Sequence, residues 1–129
     1  SIASTPQQVA KLLRSVPGLR LTLDYSHFVF QGIEPVEIDP LLRQSRVLQV
    51  RQAGPGMLQL PLEEGTIDFR RLFAVSARLF EGTYSLEYVH NPVFRGGEVD
   101  VTGESLKLLA VFDASEASRA PTGGERLNG

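Results

Sequence analysis

Asp24, His27, Arg51 and Glu87 are the side chains of this sequence most suited to chemistry, and each falls at the end of an apolar stretch. The stretches are Leu21-Thr22-Leu23-Asp24-Tyr25-Ser26-His27, Val47-Leu48-Gln49-Val50-Arg51-Gln52 and Thr83-Tyr84-Ser85-Leu86-Glu87-Tyr88. In a strand, residues i and i+2 share a face. Thr22 therefore aligns with Asp24, Gln49 with Arg51, and Ser85 with Glu87, while the intervening Leu, Val and Tyr residues face the other way. Two carboxylates brought together in this way repel unless a cation or Arg51 sits between them. Arg51 suits an oxyanion or a phosphate. Each residue also has a plain structural role open to it. Asp24 can cap a following turn, since Asp-Tyr-Ser is turn-friendly. His27 can be a satisfied structural histidine, Glu87 an exposed strand residue, and Arg51 the partner of Glu87 or Asp24 in a core ion network.

The elements that position these residues read as a helix–strand alternation. Thr5-Pro6-Gln7-Gln8 has the form of a helix start with a capping box, followed by Val9, Leu12 and Leu13 on one face. Pro17-Gly18 stops that helix before the first strand. Asp39-Pro40 starts a short second helix through Leu41, Leu42 and Gln44. The second strand is expected from about Arg46 to Gln52, broken by Gly54-Pro55-Gly56. A third helix begins near Thr66 to Asp68 with Phe69, Leu72, Phe73, Ser76 and Phe80 at helical spacing, and Gly82 suits its C-cap. The third strand covers Thr83 to Val89. Thr102 is expected to cap a last helix with Leu106, Leu109 and Phe112 inward. Residues 1–114 make up the βα region, and Ser115–Gly129 reads as a flexible tail. His90 beside Asn91-Pro92 reads as solvated, Gly96-Gly97 is too isolated to be a phosphate loop, and Glu63-Glu64 reads as surface charge.

Strands joined by helices imply an α/β fold with a parallel sheet. Three parallel strands alone leave two open edges and one polar face, whereas polar groups at the C-terminal ends of parallel strands are how a (β/α)8 barrel builds its site. The expectation is thus part of a barrel. Composition narrows the classes further. The chain has 129 residues, 42% of them hydrophobic, with 13 basic and 15 acidic residues. A net charge of -2 provides no field for nucleic acid or an anionic membrane. No cysteine is present, which excludes disulfides and thiolate chemistry and fits a cytoplasmic location. No apolar run approaches the roughly 18 residues of a membrane span, and no signal-peptide pattern is visible.

The first stretch, Leu21-Thr22-Leu23-Asp24-Tyr25-Ser26-His27-Phe28, resembles the Leu-Asp-x-x-His strand end of the xylose isomerase-like TIM barrels, which include sugar-phosphate isomerases and epimerases and the endonuclease IV-type repair enzymes. Glu63-Glu64-Gly65-Thr66-Ile67-Asp68-Phe69 resembles the family's Gly-x-Gly-x-x-Asp-Phe loop, and Ser85-Leu86-Glu87-Tyr88 its last, glutamate-ending strand. The likeness spans about residues 5 to 113 and implies the fifth helix and strands six to eight. It implies a divalent metal (Mn, Mg, Co or Zn) held in part by Asp24 and Glu87. Gln49 stands where the family has a ligating histidine, a poorer ligand than imidazole or carboxylate. It further implies that Glu87 transfers a proton next to a carbonyl of a sugar, sugar phosphate or keto-polyol. In that scheme His27 sits beside the metal, and His27, Gln49 and Arg51 orient substrate. The family's strand-five glutamate has no counterpart here, so the chain is expected to be inactive alone, completed by the N-terminal part of a barrel or another chain, with a homo-oligomer also compatible. A metal-free, non-catalytic barrel is the alternative. An endonuclease IV-like phosphodiesterase ranks below both, because only His27 and His90 are present and the charge is acidic.

Overall fold

The computed structural model describes residues 5–90 and 99–119. In chain order the elements are helix α1 (Pro6–Ser15), strand β1 (Leu21–Asp24), helix α2 (Tyr25–Phe30), helix α3 (Pro35–Ile38), a 3-10 helix (Asp39–Gln44), strand β2 (Ser45–Val50), a second 3-10 turn (Leu62–Glu64), helix α4 (Phe69–Leu79), strand β3 (Thr83–Leu86) and helix α5 (Val101–Arg119). The three strands form one parallel sheet in sequence order, β1-β2-β3. This agrees with the expected parallel βα units. Three strands do not by themselves close a barrel.

Period-two alternation sorts the sheet into two faces. One cross-strand row joins Leu23, Leu48 and Tyr84, and the neighbouring row joins Asp24, Gln49 and Ser85. Leu23 and Leu48 are fully buried, and they belong to a core with Ile38, Leu41, Leu42, Leu72, Phe73 and Leu108. On the opposite face Thr22 is exposed and Gln49, Ser85 and Glu87 are half-buried. The helices thus cover the apolar face, and among the described residues the polar face is only partly covered, from the exposed Thr22 to the buried Arg51.

The capping box of α1 forms as expected: the Gln8 N–H donates to the Thr5 hydroxyl at 3.1 Å, and the Thr5 N–H donates to the Gln8 side chain at 2.9 Å. Asp68 caps α4 by accepting from the Arg71 N–H. The aromatic stripe of α4 is buried, and Ser76 is accommodated within it by a 2.7 Å hydrogen bond with the Tyr84 hydroxyl from β3. Phe73, Tyr84 and Phe112 pack edge-on or tilted around this point.

Several expected boundaries move. The first strand stops at Asp24, and α2 begins at Tyr25 because Asp24 caps it. Strand β2 ends at Val50, so Arg51 and Gln52 lie just beyond it, and β3 ends at Leu86 rather than Val89. Gly82 is not the α4 C-cap; Phe80 takes that position with an extended backbone. Gly82 is required for another reason, because a Cβ there would lie 2.0 Å from the Arg46 carbonyl oxygen. Thr102 lies inside α5, and the Asp100 side chain accepts from the Gly103 N–H in its place. The inner face of α5 is Val101, Glu104, Leu108, Val111 and Phe112, while Leu106 and Leu109 point outward. The last helix runs through the expected tail boundary at Ser115 as far as Arg119. The remaining tail positions and Gly96-Gly97 lie outside the described residues. His90 and Glu63-Glu64 are exposed, as anticipated. Among the described residues no helix is long and apolar enough to cross a membrane.

Candidate functional site

The C-terminal ends of the strands carry a closed polar ring. Asp24 ends β1, and its Oδ1 accepts from the Ser26 N–H at 3.1 Å and from the Ser26 hydroxyl. Its Oδ2 lies 3.2 Å from an Arg51 terminal nitrogen and 3.1 Å from His27 Nε2. Arg51 Nε donates to the Ser26 Oγ at 3.0 Å, closing the ring. Ser26 is fully buried and Arg51 nearly so, whereas the His27 side chain is 56% exposed. The sequence dictates this locally. Asp24 combines the side-chain cap of a helix start with the last inward position of a strand, so one carboxylate serves the turn and the sheet face together. The structural role open to Asp24 from sequence is therefore realised, and Arg51 is its ion partner.

Glu87 lies one residue past β3. Its N–H donates to the Val50 carbonyl at 2.9 Å, which carries the ladder one step further and sets Glu87 level with Arg51. Its carboxylate accepts from the Ser85 hydroxyl at 2.7 Å. Gln49 sits between Asp24 and Ser85 in the register. Asp24, Gln49, Arg51 and Glu87 thus share one face and one end of the sheet, with His27 at the rim through its contact with Asp24.

The loop behind these residues is held by groups that sequence reasoning passed over. Gln52 is buried, and its amide imitates a strand neighbour. Its Nε2 donates to the Leu62 and Ile67 carbonyls, each at 2.9 Å, and its Oε1 accepts from the Ala53 and Ile67 N–H groups. Gln59 makes a paired amide contact with the Val89 backbone. The Tyr88 hydroxyl donates to the Leu60 carbonyl at 2.8 Å and accepts from the Gln52 N–H. Glu104 of α5 accepts from the Leu62 N–H at 2.7 Å. Burial of Tyr88 pushes its hydroxyl pKa up to about 12. Gly65 is needed because a Cβ would lie 2.3 Å from Gln52 Oε1, so its neighbour is a side chain of this chain. The available sequence signal was a pair of glutamines in an otherwise apolar segment, where a buried amide must find partners.

Among the described residues, no group of three or more His, Cys, Asp or Glu side chains is arranged to hold a metal ion. In comparisons with known proteins, the chain matches no protein-family model, no curated protein and no solved structure.

Proposed function

We propose that this chain supplies the closing βα units of a barrel that binds a sugar or keto-polyol and transfers a proton next to its carbonyl, as a sugar isomerase or epimerase does. The observation that carries this reading is the polar face: Asp24, Gln49, Arg51, Ser85 and Glu87 line one end of a parallel sheet whose other face is covered by helices. The ends of the helical layer support it. On α1, Leu12 is 56% exposed, and on α5, Leu106 is 61% exposed. Outward leucines on the first and last helices fit a layer continued on both sides by further helices. Those units come from other residues of the same protein or from another chain.

Within the closed cavity Glu87 is the proton-transferring carboxylate, kept in place by the Ser85 hydroxyl. Gln49 and His27 offer an amide and an imidazole to substrate hydroxyls. Arg51 holds the Asp24 carboxylate and adds positive charge close to a developing enolate oxygen. The divalent metal implied by the family likeness does not fit the donor set of this chain. The Asp24 oxygens already accept from Ser26, Arg51 and His27, a guanidinium stands where a cation would bind, and Gln49 adds only an amide.

The Asp24–Arg51 pair favours one second reading, a metal-free barrel that binds without catalysis, because the pair neutralises itself. Deuterium exchange separates the two. The complete protein is incubated in D2O with ketoses, ketose phosphates and keto-polyols, and the protons next to the carbonyl are followed by NMR. Exchange that is lost in Glu87→Gln supports the enzyme. Saturable binding without exchange supports the second reading, and absence of binding overturns both.

A further inference from the structure

The opposite end of the sheet carries a feature that the proposed function does not use. A cleft of about 630 Å³ is lined by Arg20, Arg43, Arg46 and Arg78, together with one acid, Glu81, and Gly82. Arg20 directly precedes β1, Arg46 is the second residue of β2, and Gly82 directly precedes β3. The cleft therefore lies at the N-terminal ends of the strands, away from Asp24 and Glu87. All four arginines are exposed, and none has a hydrogen-bond or ion-pair partner for its side chain among the described residues.

Like charges around one cleft repel, and a chain of net charge -2 has acids enough to pair them. Arg43 and Arg78 stand in the last turns of their helices, where a cation answers the carbonyl end of the helix dipole. Arg20 and Arg46 serve no helix end. Their presence beside the other two leaves an excess of guanidinium groups around a concave space of the size that small ligands occupy. Guanidinium groups match phosphate oxygens in charge and in their paired geometry.

We infer that this cleft is a binding site for a small phosphorylated anion, with Arg20, Arg43, Arg46 and Arg78 as its ligands. The site is independent of the sugar site, since it uses none of the same residues and lies at the other end of the strands.

The test is calorimetric titration of the complete protein with inorganic pyrophosphate, inorganic phosphate and a short single-stranded oligothymidylate. Pyrophosphate should bind saturably, and Arg46→Ala with Arg78→Ala should weaken it about tenfold. Arg14→Ala, which removes an exposed charge outside the cleft, should leave it unchanged. Inorganic phosphate binding as tightly as pyrophosphate would also support the site and identify the free ion as its source. Should the double variant melt early, Arg20→Ala with Arg43→Ala provides the same reading. No saturable binding, or equal weakening by Arg14→Ala, overturns the site. Preference for the oligonucleotide with a steep salt dependence overturns the small-ligand assignment in favour of a polymer backbone.

Discussion

Asp24 carries two loads at once. It starts α2 and it neutralises a guanidinium that is only 7% exposed. Asp24→Asn keeps the shape and part of the cap but removes the carboxylate charge that faces the Arg51 guanidinium at 3.2 Å. Breaking such a pair from one side is costly, so a loss of about 2–4 kcal/mol is expected in urea unfolding. Glu87 is different. It is half-buried, and its side-chain bond is to Ser85 two residues away. Glu87→Gln should change stability by less than about 1 kcal/mol while abolishing proton exchange on the true substrate. A stable variant that retains exchange would remove Glu87 from the proposed mechanism. At this scale the sequence was informative about residue type and face, because alternation in a strand is a local property. Ser26 was not singled out. Its value comes from bridging Asp24 to Arg51, which lies 25 positions away.

The segment between β2 and α4 is the element most dependent on single side chains. Gln52 satisfies two carbonyls and two N–H groups of that segment from a fully buried position. Gln52→Leu fills similar space but orphans all four, and about 2–4 kcal/mol of destabilisation is expected. Amide exchange of Ala53 and Ile67 should rise in the same variant. Unchanged protection would show that other contacts hold the loop. Gly65→Ala should act through the same contact, since its methyl group displaces the Gln52 amide. Gly82→Ala should instead push apart the starts of β2 and β3, because its neighbour is the Arg46 backbone. The element types of α1, α4 and the three strands were legible from caps and periodicity. α2 was missed, since a six-residue helix following directly on a strand has too few turns to show a period. The inner face of α5 was misassigned by about half a turn because apolar residues lie all round it, and only packing against α4 and the loop at Leu62 selects Leu108 over Leu106 and Leu109.

The whole molecule stores pH-sensitive stability in two tyrosines. Burial raises both hydroxyl pKa values, Tyr88 to about 12 and Tyr25 further, the latter aided by the Asp39 carboxylate that accepts its proton at 2.9 Å. An unfolded tyrosine ionises near its ordinary value of about 10. Below that pH both states keep the proton and the contribution is complete. Above it the unfolded state releases protons that the folded state retains, so stability falls as pH rises from about 10 through 12. Thermal melts across this window should show that fall, and Tyr88→Phe should flatten it at the cost of lower stability at neutral pH. An unchanged slope would separate the alkaline loss from Tyr88. The sheet edges make a second prediction at this scale. If further βα units close the sheet, hydrogen exchange at β1 and β3 should be slower in the complete protein than in a chain of these 129 residues alone. Equal exchange would mean that the sheet is not extended.

Sequence alone determined the local features: the capping box at Thr5, the start of α4 near Thr66 to Asp68, the alternation that divides Leu23 and Leu48 from Asp24 and Gln49, and the parallel order that helix-linked strands require. These depend on neighbours within one or two turns, so period and side-chain chemistry suffice to show them. Tertiary structure alone decided that Arg51 meets Asp24 through Ser26, that Gln52 and Gln59 stand in for backbone partners, that Gly82 faces a carbonyl, and that four arginines share a cleft. Each joins residues far apart in the chain, and no local pattern encodes which distant groups register and burial will bring within bonding distance.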